Sequence, residues 1–193
     1  MTELGNGLCA AKRDEEALSV KEADLSMEKR LGASEDDILA TESNLATTYK
    51  QLGREFLPLR QEVYSGFVKI YGEHHKETVL EAFNYANDLF DLRRFKEARS
   101  LLRKTIPIAR RILGDSNELT LKVRKIYAIV LCMTTDGSCA TLSDVREAVT
   151  TLEDAERISR RVLGSAHPLT TAIERDLRNV RAMLRARETP GSA

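Results

Sequence analysis

The sequence predicts an all-α fold: about eight helices stacked as antiparallel pairs in a right-handed α-solenoid, with no sheet. Three observations carry that expectation. A phrase centred on glycine recurs four times, as EKRLGASED, VKIYGEHHK, RRILGDSNE and RRVLGSAHP, with its glycines at Gly32, Gly72, Gly114 and Gly164. Their spacings of 40, 42 and 50 residues fall where an internal period marks stacked supersecondary units. Each glycine closes a stretch with the apolar period of a helix, and no stretch shows the alternation of a strand.

The elements follow in chain order. Asp14–Leu31 reads as a helix ending at Gly32, the second helix of a unit whose first helix is missing. SEDD from Ser34 has the spacing of a capping box and opens the helix Ile38–Leu52. After the stretch ending at Gly72 comes the helix Thr78–Leu92. From Phe95, apolar positions fall at Phe95, Ala98, Leu101, Leu102, Thr105, Ile106, Ala109, Ile112 and Leu113, the stripe of an amphipathic helix. Pro107 removes one backbone donor inside that stripe, but the stripe keeps phase, which predicts a kink and not a break. The helix Leu119–Met133 precedes TTDGSCATLSD, a polar, glycine-containing surface loop that accounts for the longer third spacing. The last helix, Leu169–Arg185, follows Pro168, a residue tolerated in a first turn. Glycine just past the last apolar residue accepts the left-handed conformation of a C-cap, and the arginines before it suit the negative end of the helix dipole.

The organisation expected is a disordered tail 1–12, a solenoid over 13–187 and a disordered tail 188–193. Within the solenoid lie a half unit 13–32, units 33–72, 73–114 and 115–164 (the last with the inserted loop 134–144), and a cap helix 167–187.

The segments NLATTYKQLGR, NYANDLFDLRRFKEARSLL and SDVREAVTTLEDAERISRRVLG, with the joint from Gly164 to Pro168, make the sequence resemble tetratricopeptide-repeat proteins of the kinesin-light-chain-like type, whose repeats run to about 42 residues. The small residues Ala86 and Ala98 stand where that resemblance places close helix crossings. It covers roughly residues 13–187. It implies that the first helix of each unit lines a concave groove, and that an asparagine near its middle binds the backbone of a guest peptide. By alignment those asparagines are Asn44 and Asn84, while the later units carry Ile126 and Asp176, so the ladder is half kept. One helical turn away stand Asn87, Lys122, Lys125, Arg175 and Asn179. Amides flanked by cations suit an extended peptide with acidic side chains or a terminal carboxylate.

Charge and composition set the remaining bounds. Thirty basic residues balance thirty acidic ones, without the basic excess of a nucleic-acid binder. The balance is uneven: residues 1–50 carry six basic against eleven acidic residues, and residues 101–193 carry sixteen against eleven. The longest apolar run, IYAIVLCM, is too short to span a bilayer. Cys9, Cys132 and Cys139 lack metal-binding spacing in a chain with no signal-peptide pattern, which points to reduced thiols and a cytoplasmic protein. Adjacent His74 and His75 cannot share a helix face, and no histidine is placed to form a dyad with a cysteine. No metal, cofactor or catalytic residue is therefore expected. Two functions remain: a non-enzymatic scaffold or adaptor that binds a protein or an acidic peptide in the groove, or a structural segment that self-associates through the unpaired half unit.

Overall fold

A computed structural model describes residues 14–134 and 140–188. Cys9, Cys139, the expected tails (Glu188 aside) and the centre of the 134–144 loop lie outside the described residues. Among the described residues all regular structure is helical: α1 Asp14–Leu31, α2 Glu35–Gln51, α3 Leu57–Tyr71, α4 Lys76–Asp91, α5 Phe95–Leu113, α6 Glu118–Leu131, α7 Leu142–Val162 and α8 Pro168–Glu188. The chain divides into two compact units, 1–81 and 82–193, with the division inside α4. In the first, α2 packs on α1 and on α3. In the second, α5 packs on α6, α6 on α7 and α7 on α8, and α6 also touches α8. Short turns between packed neighbours make each pair an antiparallel hairpin.

Each unit has its own core. In the first, Leu39, Val63 and Phe67 form a cluster covered by Leu59 and Ile70. Gly66 marks the closest approach there, since a Cβ on it would sit 2.6 Å from a methyl of Leu39. In the second unit Leu102, Leu121, Val123, Leu131, Val145, Leu152 and Ile173 are fully buried. Each contributes about 1.5–3 kcal/mol of burial. Ala86 and Ala98, expected at close helix crossings, are both fully buried. The stripe of α5 faces inward as its spacing predicts, with Phe95, Ala98, Leu102, Thr105 and Ala109 buried. The helix runs unbroken through Pro107.

The repeated phrase is a joint with three parts. The first is the glycine, whose φ is positive at all four positions. The expected left-handed conformation needs correction at Gly72 (φ 76, ψ 170) and Gly114 (φ 88, ψ 161), where ψ is extended. That region is open to glycine alone, so the demand is stricter than a left-handed cap makes. Nothing would touch a Cβ at either position, so the constraint is torsional and not one of space. The second part is the cap of the next helix. Asn117 Oδ1 accepts the N–H of Leu119 at 2.9 Å, His75 Nδ1 accepts that of Glu77 at 3.3 Å, and His167 Nδ1 accepts that of Leu169 at 3.2 Å. Ser34 serves α2 by accepting from Asp37 N–H. These caps start the helices one to three residues earlier than the apolar pattern alone indicates. The third part, present at the Gly72 and Gly114 joints, is a clip: Thr78 donates to the carbonyl of Phe67 and Thr120 to that of Ala109, eleven residues back in each case, whereas Thr170 at the Gly164 joint makes no such bond.

The turns between the paired helices repeat as well. Gly53 N–H bonds to Lys50 O and Arg54 N–H to Tyr49 O; forty residues on, Arg93 bonds to Phe90 O and Arg94 to Leu89 O. Gly53 has φ 67 and Arg93 has φ 59. A side chain in this region costs roughly 1–2 kcal/mol. Arg93→Gly should therefore stabilise the chain by roughly 0.5–1 kcal/mol after the added freedom of the unfolded chain is subtracted, read as a raised urea midpoint.

One part of the first unit's interior is ionic. Arg60 is 3% exposed and Glu81 6%. Arg60 Nη1 donates to Ser43 Oγ at 2.7 Å and Nη2 to Thr47 Oγ1 at 2.8 Å, with Glu81 Oε2 at 3.5 Å. Ser43 Oγ in turn donates to Glu81, at about 3.0 Å. Counted from the glycines, Arg60 stands at the register of Leu102 and Leu152, and Glu81 at that of Val123 and Ile173. A buried pair of this kind is costly to break but replaceable as a whole. Arg60→Met or Glu81→Leu alone should cost about 3–5 kcal/mol, while the double variant should lie within about 1 kcal/mol of the parent or above it. Denaturation of the three variants gives the comparison.

Candidate functional site

The residues expected to bind a partner lie on α2 in the first unit and on the rest of α4, α6 and α8 in the second. Asn44 belongs to the first unit and is exposed on α2. Asn84 and Asn87 are half-buried on α4, and the amide of Asn87 donates to Phe83 O at 2.7 Å, so part of its capacity is used within the helix. Lys122 pairs with Glu118, one turn earlier on α6, at 2.8 Å. Lys125 reaches across to Asp176 on α8 at 3.1 Å, too obliquely for a hydrogen bond. Arg175 is 65% exposed and lies 3.5 Å from the same carboxylate. Asn179 is exposed on α8. The structure thus brings Lys125, Arg175 and Asp176 together, while Lys122 keeps a local partner. At the ladder register the two later positions, Ile126 and Asp176, are buried, so packing and one ion pair between α6 and α8 stand where the earlier helices present amides.

Away from that face, a cleft of about 290 Å³ opens between α5, α6 and α7. Arg103 and Arg110 come from α5, Arg124 and Tyr127 from α6, and Glu147 and Asp154 from α7. Arg124 stands about 160° around the helix from Lys122 and about 100° from Lys125. Its side chain is 7% exposed, and burial holds its guanidinium below the ordinary range, partly offset by Asp154 at 3.6 Å. Arg110 donates to Asp115 at 2.5 Å and keeps that carboxyl below its ordinary range. Tyr127 donates to Glu147 at 2.7 Å.

The cysteine and histidine readings can be placed too. Cys132 is buried, and burial pushes its thiol up to about 11, which leaves it a poor nucleophile. His75 and His167 serve as helix caps, and the His75 ring stacks on Tyr71 at 4.3 Å. Among the described residues no group of histidine, cysteine and carboxylate could hold a metal, and no helix is long and apolar enough to cross a membrane.

Antiparallel helix pairs closed by a recurring glycine joint define a helical-hairpin repeat protein. Residues 84–118 match the family model for a tetratricopeptide repeat. Two crystal structures of a Podosopora anserina protein described as kinesin light chain, with nearly identical TPR-like repeats, share the fold. A single-substitution variant aligns over 97% of this chain and 86% of its own, at 22% identity and a TM-score of 0.79. Its relative aligns over 98% and 95%, at 21% identity and a TM-score of 0.74. BtubC (BKLC) from P. vanneervenii aligns over 98% and 81%, at 14% identity and a TM-score of 0.64. A search of curated protein sequences gives no significant match. Residues 84–118 thus carry a tetratricopeptide repeat, and the chain has the helical fold of the kinesin-light-chain-like repeat structures.

Sequence reasoning overlooked the cleft and the Arg60–Glu81 pair. Its signal was present in the register, because Arg124 stands where the preceding unit has buried Ala82. The Tyr127 hydroxyl gives a testable consequence. Burial first, and the bond to Glu147 second, push it from 10.0 up to about 12. A raised folded value contributes stability that is complete below the unfolded value and is lost as pH rises through the folded one. Between pH 10 and 12, stability should fall with a slope that Tyr127→Phe reduces, as urea midpoints measured across that range would show.

Proposed function

We propose that the chain is a non-enzymatic protein-binding module of the cytoplasm that holds an extended peptide or protein segment along the face of α4, α6 and α8. The observation that carries this reading is the placement of Asn84, Lys122, Arg175 and Asn179. All stand clear of the fully buried core, on the helices whose other faces supply Leu121, Val123 and Ile173. An asparagine amide offers a donor and an acceptor, which an extended backbone uses together. Arg175 adds an accessible guanidinium that suits an acidic side chain or a terminal carboxylate. Lys125 contributes less than its position indicates, because Asp176 already takes up its charge.

Binding of fluorescein-labelled acidic peptides, measured by anisotropy, tests the reading. Asn84→Ala should weaken binding by about 1 kcal/mol with the fold unchanged. Arg175→Glu should weaken it more at low salt than at high salt, since the Debye length shrinks from about 30 Å at 0.01 M to about 10 Å at 0.1 M. Exposed Arg111, outside this face, provides the control: if Arg111→Glu abolishes binding while the other two leave it intact, a different surface does the work.

A second reading, self-association, draws on α1. Leu31 is 79% exposed and Met27 53%, four residues apart on one helix face. Light scattering that shows mass rising with concentration, and falling back with Leu31→Lys, would favour it over the adaptor.

A further inference from the structure

The cleft between α5, α6 and α7 has a counterpart one repeat later, and the comparison between them is informative. The later cleft, of about 180 Å³, includes Glu156, Arg160 and Glu174. There Arg160 is bonded on both sides, to Glu156 at 2.7 Å and to Glu174 at 2.7 Å. Fifty residues earlier the same positions hold Ile106, Arg110 and Arg124. The central arginine is kept, but both of those carboxylates are gone: one has become a second arginine, and Arg110 pairs instead with Asp115 at 2.5 Å, outside the cleft lining. Arg103 lines the same cleft, exposed and without an ion pair among the described residues.

The second arginine is the unusual group. Arg124 carries five N–H donors in a side chain that is 7% exposed, yet it makes no hydrogen bond among the described residues, and its one carboxylate neighbour lies at 3.6 Å. Asp154 is meanwhile bonded to Arg157 at 2.9 Å. Buried guanidiniums are ordinarily satisfied. In this same chain Arg60 bonds through both terminal nitrogens, to Ser43 and Thr47. Of the two acidic walls of the cleft, Glu147 is occupied by the Tyr127 hydroxyl and Asp154 by Arg157.

We propose that this cleft is a binding site for a phosphate group, with Arg124 at its floor and Arg103 and Arg110 on its rim. Guanidiniums arriving from two helices match the several oxygens of a tetrahedral anion better than the two of a planar carboxylate. The volume of about 290 Å³ admits a phosphate with a small organic substituent. The site is separate from the partner-binding face and does not depend on it.

Isothermal titration of the full chain with inorganic phosphate and with O-phosphoserine, at low ionic strength, tests the proposal. Saturable binding is expected, weakened about tenfold or more by Arg124→Gln and about threefold by Arg103→Gln. Tighter binding of O-phosphoserine would assign the site to a phosphorylated side chain, and tighter binding of inorganic phosphate to the free ion. Asp154→Asn, which removes the competing carboxylate, should tighten binding. Should Arg124→Gln fail to fold, the exposed Arg103→Gln and Asp154→Asn still decide the matter. The proposal is overturned by binding that both arginine variants leave unchanged, by acetate competing as well as phosphate does, or by Asp154→Asn weakening the complex. Asn84→Ala should leave phosphate binding untouched, so the outcome is independent of the adaptor reading.

Discussion

The joint around each glycine is the constraint from which the rest of the structure follows. A helix that ends on a residue with positive φ and extended ψ leaves in a direction that an ordinary side chain cannot adopt, as at Gly72 and Gly114. The cap three residues on then fixes where the next helix starts, and the threonine clip ties that helix to a carbonyl of the one before. Each part is modest alone: a cap contributes about 1 kcal/mol and a hydrogen bond about the same. Together they fix the crossing of one helix pair through contacts close in sequence. Chemically different residues fill the cap, Asn117 in one joint and His75 or His167 in others, because the joint requires only an acceptor aimed at the N–H two residues on.

This division of labour explains which features could be read from the sequence. Period, helix order and the α5 stripe depend on local chemistry repeated several times, so Phe95, Ala98, Leu102 and Ala109 were legible as core from spacing alone. The helix starts were less legible, since a histidine cap at His75 or His167 resembles loop composition until its ring nitrogen is seen to accept an N–H. The extended ψ of Gly72 was hidden too, because glycine in a sequence signals positive φ and says nothing about ψ. Of the candidate face, the register of Asn44 and Asn84 was legible. The pairing of Lys125 with Asp176 was not, because it joins residues fifty-one positions apart on helices two elements apart.

The two buried arginines show how the same residue type takes opposite roles. Arg60 and Glu81 replace a pair of apolar residues by a pair of charges that satisfy each other, with Ser43 and Thr47 completing the donors. Such a set fixes one arrangement, because any slip leaves a buried charge unpaired. Arg124 replaces a small apolar residue by a charge without supplying the matching acceptor. The neighbouring substitution points the same way, because Ile106 stands where the later repeat keeps Glu156. Two changes thus remove the carboxylates that the later repeat places around this arginine, and Asp115, on the loop beyond, is the partner that Arg110 takes instead.

A repeat protein has no single cavity on which to build a site, so its sites arise where one copy departs from the others. The phase of α6 makes this concrete. Successive residues turn about 100° around a helix, which places Lys122 and Lys125 on one side and Arg124 with Tyr127 on the other. The core residues Leu121 and Ala128 fill one of the arcs between these sides and Val123 and Val130 the other, which holds both polar sides in fixed register. Charge on either side is therefore presented by a rigid element, which limits the reorganisation a ligand would otherwise impose on binding. The arginine side is partly buried and the lysine side is open to solvent, so added salt should weaken contacts to Lys122 and Arg175 well before it weakens those to Arg124. Burial that leaves Arg124 short of hydrogen bonds in the absence of a ligand is also what shields its charge from the screening that acts on the other face.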